Sequence, residues 1–402
     1  MYKLPSFPTH PAIKFGSSAE DMLLINCARL KVDPEKIRKI LTPDMNWNYI
    51  LENANDNRIA TLLYYNLQKS GNDLVPVEVM EQLQKIYKAI LALNIIAFNE
   101  LKQILKSFSE AQIKVILLKG VALAETVYPD IALRPFGDID LLIHKKDLYK
   151  LNPKLLQIGY ELSEPSDEEI EFRAIKLVKK GEIILEIHWH LFASPYSKYI
   201  DIDEFWKNTV TINIEGLDAF VLSPENLLIH LCLHASIHNY PQLICLVDIS
   251  EVIQYYGEIL NWELVLEKVL HYKICSPMYY SLAHTKELFN TPIPDFVLDS
   301  LSLYKVSSFD DKIFDALLAI PGDISARSAV VTFLDINGII PKIRYVFSKL
   351  FPGKDFMAKR YSGKGIINSY FSRIGDILWR GMRLLLKISK YRNKRFIEKY
   401  TS

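Results

Sequence analysis

The amino-acid sequence predicts a mixed α+β protein, with a small mixed β-sheet domain flanked by N- and C-terminal helical regions. Apolar residues first recur at three-to-four spacing, as in amphipathic helices. Short β-branched runs then alternate with helical patterns, which is typical of a sheet domain. Helical spacing returns after Ser223. We predict four parts: an N-terminal helical region at 1–110, an α/β domain at 111–222, a C-terminal helical domain at 223–340 and a basic amphipathic helical tail at 341–402.

The N-terminal helices are predicted from the spacing of apolar residues between residues 19 and 110. One amphipathic stretch spans 60–67, and a longer one runs from Leu83 to Leu105. The turn-forming residues Ser-Gly-Asn-Asp and then Pro76 separate the two stretches. We therefore expect at least two helices here, the second of them long.

The sheet domain is predicted from four β-branched runs with helical segments between them. Gly and Pro residues mark where these segments end, and a Lys-Lys-Gly sequence is a plausible hairpin turn. In chain order we predict a strand at 113–120, a helix at 121–128, a strand at 138–144, a helix at 146–159 and two strands at 172–178 and 183–189.

The C-terminal helical domain begins with a clear start signal. Ser223 is a favourable N-cap, and Pro224 occupies the first helical position, where its missing N–H has no cost. Further amphipathic stretches predict helices at 242–256, 262–272 and 276–289.

The tail holds the chain's excess of positive charge. Residues 341–402 contain 16 Lys and Arg residues against three acidic ones, although the whole chain has a net charge of +1. Within 366–391, apolar residues form a helical stripe, which we predict to pack on the body of the protein. The alternative is peripheral contact with an anionic membrane. Nucleic acid is not expected as a partner, because the aromatic strand motifs of single-strand readers are missing.

Composition excludes several classes of protein. Half of the 402 residues are apolar and 24% are charged, as in globular proteins with a sizeable core. No apolar run approaches the roughly 18 residues of a membrane span, and residues 1–15 lack the apolar segment of a signal peptide, so we expect a cytoplasmic protein. The four cysteines form no CxxC pair, which indicates core thiols rather than disulfides or a zinc site.

Two carboxylates on one strand give the strongest functional signal. Side chains alternate along a strand, so Asp138 and Asp140 share one face while the apolar residues between them fill the other. Adjacent carboxylates repel each other and are unfavourable to desolvate unless a cation binds them. Mg²⁺ suits these oxygen ligands and keeps waters for substrate phosphates.

Other residues of the predicted sheet domain offer a third acid and contacts for phosphates. Glu186 would complete a two-metal site if its strand lay beside the strand at 138–144. The first predicted strand ends in Lys119 and Gly120, where a glycine lets the backbone approach a phosphate. Arg134 lies four residues before the first aspartate and can offset anionic charge.

Three histidines lie on one stripe of the helix that follows Ser223. His230, His234 and His238 are spaced at i, i+4 and i+8. Imidazoles one turn apart can share a transition metal, whereas the alternative is that they line a cleft as polar residues. We favour the cleft because no His-Glu-x-x-His frame is present, and we expect His234 and His188 to contact the substrate or its phosphates.

Seven segments form a combination that is specific although each segment is weak alone. They are LLKG (117–120), Tyr128, Arg134, DIDLLI (138–143), EIHW (186–189), LLIHLCLH (227–234) and LVDI (246–249). This combination resembles a bacterial family called uncharacterised nucleotidyltransferases, within the DNA-polymerase-β-type nucleotidyltransferase superfamily. The resemblance extends from roughly Trp47 to Arg383.

The resemblance implies a nucleotidyltransferase fold with Asp138, Asp140 and Glu186 as catalytic residues and metal ligands. It also implies that Lys119 and Gly120 meet the phosphates of a nucleotide. The implied function is Mg²⁺-dependent transfer, with two ions, of an NMP group from an NTP to a hydroxyl acceptor of unknown identity. Val121 replaces a serine of the superfamily, which motivates the alternative of a non-catalytic nucleotide- or partner-binding protein on the same fold.

Overall fold

The computed structural model describes residues 18–162, 174–179, 183–192, 196, 199–238, 240–303, 333, 336, 338–352, 357, 361, 365, 367–379 and 382. In this part of the chain, helices precede the first strand. They are α1 (Ala19–Cys27), α2 (Pro34–Ile40), α3 (Trp47–Asp56), α4 (Ala60–Ser70) and α5 (Val77–Glu110). The side chains of Ser18, Asp33 and Asn46 accept hydrogen bonds from first-turn N–H groups and so fix where α1, α2 and α3 begin.

The sheet domain contains both strands and short helices. In chain order they are β1 (Val115–Leu117), α6 (Lys119–Thr126), β2 (Asp138–Ile143), α7 (Leu148–Gln157), β3 (Glu161–Leu162), β4 (Ala174–Val178), β5 (Ile184–His188), α8 (Ile202–Lys207), β6 (Val210–Ile214) and β7 (Leu217–Val221). Among the described residues these strands form one mixed sheet in the order β3-β4-β5-β2-β1-β7-β6. The pairs β2–β5 and β1–β7 are parallel, and the other neighbours are antiparallel. The predicted α+β class is confirmed.

The hairpin of β6 and β7 was missed by the sequence prediction. Glu215 and Gly216 connect the two strands with φ values of 46° and 90°. Two residues with positive φ form the turn whose twist matches a two-residue hairpin. The alternation in VTINI and LDAFV on either side of Glu-Gly is the signal that could have found it.

The C-terminal helices follow the predicted start signal. Ser223 accepts a hydrogen bond from the N–H of Asn226 at 3.4 Å, and Pro224 is the first helical residue. The helices are α9 (Pro224–Ile237), α10 (Ile244–Tyr256), α11 (Trp262–Tyr272), α12 (Cys275–Phe289), α13 (Asp295–Leu303) and α14 (Ile339–Leu350). The predicted helices from residue 224 to 289 are confirmed within a few residues.

Two hydrophobic clusters lie against opposite faces of the sheet. One includes α5 residues such as Leu101 together with Ile139 and Leu141 of β2. The other joins the N-terminal helices to α9–α13 and includes Leu142. Since Asp140 alternates with Ile139 and Leu141, it lies on the face that points towards the C-terminal helices. The predicted limits at residues 110, 222 and 340 stay a proposal.

The cysteines behave as core thiols, as predicted. Cys27, Cys232 and Cys275 are buried, Cys245 is half-buried, and all four are free thiols. Of the helices that the structure describes, none combines the length and the apolar character needed to cross a bilayer.

The C-terminal stripe does not pack as predicted. Residues 367–379 are helical, but Ile367, Phe371 and Leu378 are exposed. The helix meets the end of α14 through two hydrogen bonds and one ring contact. The Tyr370 hydroxyl donates to the carbonyl of Pro352 at 2.9 Å, Arg373 Nε donates to the carbonyl of Lys349 at 3.2 Å, and the Tyr370 and Phe351 ring centroids are 5.8 Å apart. The prediction that the stripe packs on the body is therefore wrong for these residues. Apart from Met382, positions 380–391 lie outside the described residues.

Candidate active site

The register of three strands places charged side chains in one row. Asp140 of β2 lies opposite Glu186 of the parallel strand β5. Lys176 of β4 lies opposite the same Glu186. Directly paired residues project from the same face of a sheet. We predicted that Glu186 could join the two aspartates only if its strand lay beside the strand at 138–144, and β5 does pair with β2.

Lys119 enters the row from the start of α6. The N–H of Leu118 donates to the backbone carbonyl of Asp140 at 3.0 Å, which ties the end of β1 to β2. Lys119 then adopts a φ of 49°, in the left-handed region that residues other than glycine seldom occupy. Its Nζ lies 2.7 Å from Asp140 Oδ1.

His188 lies between the two acids on neighbouring strands. Its Nε2 is 2.9 Å from Asp140 Oδ1 and 3.6 Å from Glu186 Oε2. Among the described residues, Asp140, Glu186 and His188 form the group whose ligand atoms all lie within 4.8 Å of one another. Asp138, the other predicted ligand, is outside this group but lines the same cavity.

The close packing of these charges shifts their pKa values. Burial and the neighbouring Asp140 raise the pKa of Asp138 to about 6. Burial opposes a low pKa for Asp140, but Lys119 and His188 lower it well below its usual range. Burial alone would raise the pKa of Glu186, but the hydrogen bond with His188 lowers it. The Asp140 carboxylate in turn raises the pKa of Lys119 and of His188 against the effect of burial.

The row forms part of the wall of a cavity with a volume of about 360 Å³. This volume is in the range of small-molecule sites. The predicted site residues that line it are Lys119, Gly120, Arg134, Asp138, Asp140, Glu186, His188 and His234. Apolar residues, among them Phe136, Phe192 and Ile237, complete the wall.

Arg134 lies in the cavity wall with its charge already balanced. Its Nε and Nη2 donate to the two carboxylate oxygens of Asp248 at 2.7 and 2.6 Å, and Nη1 donates to the carbonyl of Pro135. The Tyr128 hydroxyl donates to the same Asp248 at 2.8 Å. The predicted contact between Arg134 and phosphates stays a prediction.

Two positions of the Lys-Gly-Val segment have clear packing roles. A Cβ at Gly120 would lie 2.5 Å from Cβ of Phe136, so this position excludes larger residues for steric reasons. Val121 is fully buried in the cluster beneath the sheet. Val121 therefore faces the core, whereas Gly120 lines the cavity.

The histidine stripe also lines the cavity. His230, His234 and His238 all contribute to its wall, and the first two ring centroids are 6.1 Å apart. Burial, and next the charge of Lys119, lower the pKa of His230 to about 3, that of His238 to about 4 and that of His234 well below its usual value. All three lie in the cavity wall, where the cleft interpretation expects them, and the roles of these histidines stay a prediction.

Sequence reasoning missed two basic residues of the cavity wall. Lys176 Nζ lies 2.9 Å from Glu186 Oε1. Arg58 follows α3, with a φ of 56°, and its side chain reaches the cavity beside Gly137. Alternation in β4 could have indicated Lys176, but no local pattern connects Arg58 to the sheet.

The mixed sheet presents clustered carboxylates beside basic side chains on one wall of a cavity, which is the kind of site that binds metal ions and phosphates. The chain belongs to the family of uncharacterised nucleotidyltransferases, whose model matches residues 43–290. The matched region is shorter than the predicted one, which extended to roughly Arg383.

Solved structures offer a distant likeness. The chain is similar to an antigenic nucleotidyltransferase-like protein from Paracoccidioides brasiliensis, with 18% identity over 55% of this chain and 94% of that chain, and a TM-score of 0.31. No curated protein sequence matches the chain.

Proposed function

We propose that this chain is a Mg²⁺-dependent nucleotidyltransferase that moves an NMP group from an NTP to a hydroxyl acceptor. The observation behind the proposal is the convergence of Asp140, Glu186 and His188, with Asp138 nearby, on one wall of the cavity. Family membership supports a nucleotide substrate. The Asp-Ile-Asp strand after a strand, a glycine and a helix supports membership of the DNA-polymerase-β-type superfamily, and we propose a cytoplasmic location.

The donor set fits Mg²⁺. Three carboxylates offer the oxygen ligands that this ion prefers. Burial and the neighbouring Asp140 carboxylate raise the pKa of Asp138, and a bound cation would favour its charged form. Asp138, Asp140 and Glu186 would hold two ions, and His188 would orient Asp140 through its hydrogen bond. Bound Mg²⁺ would stabilise charge on the attacking and leaving oxygens.

The side chains of the protein would handle the proton and position the substrates. The acceptor oxygen attacks the α-phosphorus, the bond to the bridging oxygen of the β-phosphate breaks, and pyrophosphate leaves with that electron pair. The acceptor proton passes to a carboxylate of the cluster, for which we propose Glu186. Lys119 and Gly120 would contact the phosphates, with Arg134 holding the segment before β2 in place.

The histidines would contact an uncharged part of the substrates. Their lowered pKa values keep His230 and His234 neutral at pH 7, and a neutral imidazole both donates and accepts hydrogen bonds. His230 is 2% exposed, and neither of its ring nitrogens has a hydrogen-bond partner among the described residues. A buried polar group without a partner costs about 1–3 kcal/mol, which a ligand hydroxyl or base edge would recover.

Labelled nucleotides test the reaction directly. We expect purified protein, Mg²⁺ and a cell extract to attach label from the α-position of an NTP to an acceptor. Label transferred from the γ-position instead would mean phosphoryl transfer and would overturn the proposal. Asp138→Asn should lower transfer at least about 1,000-fold while the melting temperature stays equal or rises, because a repelled buried carboxylate is removed.

Asp147→Asn is the matched control for this variant. Asp147 is 6% exposed and pairs with Lys150, but it does not line the cavity. Its replacement should leave transfer unchanged. The non-catalytic alternative predicts a different result: Mg²⁺ and nucleotide would raise the melting temperature of the wild type, yet no label would reach any acceptor.

We also propose that the C-terminal helices contact anionic membranes. On α14, Ile339, Ile340, Ile343 and Phe347 are exposed, and the apolar stripe of 367–379 is exposed as well. The same region has the excess of basic residues noted in the sequence. Exposed apolar groups beside Lys and Arg are the features of a helix that lies in the membrane interface.

A further inference from the structure

The carboxylates proposed as metal ligands already have cationic partners within the protein. Lys119 Nζ lies 2.7 Å from Asp140, and Lys176 Nζ lies 2.9 Å from Glu186. His188 contacts both acids. A divalent ion at these oxygens would have to compete with the two ammonium groups for the same lone pairs.

The side chains of both lysines have room to turn away from their carboxylate partners. Their side chains are 19% and 34% exposed and line the cavity. An ammonium group is a compact charge on a flexible four-carbon stem, so it can turn from a carboxylate towards another anion in the same cavity. The left-handed φ of Lys119 adds a strained backbone, of the kind that is concentrated at functional sites.

The charge balance of the cavity wall links cation binding to polyphosphate binding. Arg134 is balanced by Asp248. The remaining charged side chains are the acids Asp138, Asp140 and Glu186 and the bases Arg58, Lys119 and Lys176, together with His188, which contacts two of the acids. Without a divalent ion, a polyphosphate would meet carboxylates whose cationic partners are already engaged. Once a divalent ion is bound to the carboxylates, Lys119 and Lys176 no longer pair with those oxygens and can turn towards an anion in the cavity.

Arg58 supplies a cation that is available from the start. It is exposed at the cavity, and a Cβ on Gly137 would lie 3.9 Å from its Nη2. Within the described ranges its guanidinium forms neither an ion pair nor a hydrogen bond. A guanidinium in this state can bind two phosphate oxygens at once.

We propose that a divalent cation displaces Lys119 and Lys176 from Asp140 and Glu186, and that the released ammonium groups bind the phosphates of the nucleotide together with Arg58. This inference rests on the proposed function and adds to it Lys176 and Arg58 as phosphate-binding residues, the displacement of the two lysines, and the order of binding. The cation must bind before, or together with, the polyphosphate. Each ligand therefore increases the affinity for the other.

Acetylation of lysines, read by mass spectrometry, tests the displacement in the wild-type protein. We expect Mg²⁺ to raise the acetylation rates of Lys119 and Lys176 at least about fivefold, the lower end of typical coupling between two sites. Inorganic tripolyphosphate, added with excess Mg²⁺, should return both rates to their starting values. Tripolyphosphate is the probe because it carries the phosphates without a choice of base.

Lys179 is the matched control. It follows β4 directly, its Nζ lies 2.9 Å from Glu100, and its side chain is 21% exposed, but it does not line the cavity. Its acetylation rate should not respond to Mg²⁺ or to tripolyphosphate. Mg²⁺-independent rates at Lys119 and Lys176 would overturn the displacement, and a lack of protection by tripolyphosphate would overturn the role in phosphate binding.

A variant gives a second readout on the same site. Lys176→Met should bind Mn²⁺ alone at least about fivefold more tightly than the wild type, and tripolyphosphate at saturating Mn²⁺ at least about fivefold more weakly. Lys176 is half-exposed on a strand, so this variant should fold. Unchanged affinities would overturn the inference while wild-type transfer of α-label continued. A wild type that binds neither Mn²⁺ nor any NTP would instead overturn the proposed function.

Discussion

Two ion pairs border the cavity, the buried pair of Arg134 with Asp248 and the part-buried pair of Lys119 with Asp140, and they differ in construction. Arg134 gives two hydrogen bonds to Asp248, which also accepts one from Tyr128. Lys119 gives a single hydrogen bond to Asp140, and the oxygen that accepts it also contacts His188. A bidentate guanidinium pair fixes both partners, whereas an ammonium group keeps rotational freedom. The geometry of an ion pair therefore distinguishes charges that hold the structure together from charges that a ligand can displace.

The two pairs also connect different parts of the molecule. Arg134 precedes β2, and Asp248 lies in α10, so their pair joins the sheet to the C-terminal helices. Lys119 and Asp140 both belong to the sheet domain, where backbone hydrogen bonds already hold β1 and β2 together. Loss of the first pair should therefore affect stability most, and loss of the second should affect ligand binding most.

Asp248→Asn should produce the largest loss of stability. It leaves the Arg134 guanidinium buried without a matching charge, which typically costs about 3–5 kcal/mol. Urea unfolding of the two proteins measures the difference in free energy of unfolding. The control is Asp73→Asn, which breaks the exposed bidentate pair with Arg38 and should change stability by less than about 1 kcal/mol. Equal losses in the two variants would remove the distinction between the pairs.

Glu251 sharpens the comparison because it is a buried acid beside Asp248 without a bidentate partner. Burial raises its pKa to about 7, although the Leu30 N–H and Arg29 oppose the change. A folded pKa above the ordinary 4.5 means that the protonated form stabilises the fold below about pH 4.5, and that this contribution is lost as the pH rises through 7.

Glu251→Gln should therefore stabilise the protein only at high pH. At pH 8.5 the gain should reach at most about 3 kcal/mol, from 1.36 kcal/mol per pKa unit, and it should vanish at about pH 4.5. The introduced glutamine keeps an oxygen to accept the Leu30 N–H, which donates to Glu251 Oε1 at 3.2 Å. Urea unfolding at the two pH values measures the gain. A pH-independent difference would show that packing, rather than charge, decides the effect.

The sequence could predict which face the acids occupy but not their neighbours. Side chains alternate between the two faces of the strand Asp-Ile-Asp-Leu-Leu-Ile. Asp138 and Asp140 therefore share one face, because the apolar residue between them packs in the core on the other. The position of Glu186 beside Asp140 depends on the pairing of β2 with β5, which is a property of the whole sheet. That prediction could only be conditional.

Contacts between distant segments explain what the sequence did not predict. Arg134 lies 114 residues before its partner Asp248, and no local pattern connects them. Gly120 is consistent with close approach of a phosphate, yet the structure also gives it a steric role against Phe136. For the tail, amphipathic spacing predicts which residues share a face of the helix. It cannot predict what covers that face, because that depends on surfaces elsewhere in the fold.

The smallest expected change in stability concerns the exposed face of α14. Ile343→Ser combined with Phe347→Ser should alter the free energy of unfolding by less than about 0.5 kcal/mol, because both side chains are exposed. Binding to vesicles of phosphatidylserine and phosphatidylcholine should weaken at least about tenfold, since two interfacial anchors are lost. Sedimentation with vesicles measures the binding.

Leu93→Ser combined with Ile96→Ser is the matched control, because both residues are exposed on α5, which lies outside the basic segment 341–402 in the sequence. This control should bind vesicles as the wild type does. Vesicles of phosphatidylcholine alone should bind the wild type weakly, because the basic residues then lack anionic headgroups to attract them. A loss of stability above about 1 kcal/mol in the α14 variant would mean that its apolar face packs within the protein. A wild type that binds neither kind of vesicle would exclude the membrane and leave an exposed apolar face that needs a protein partner.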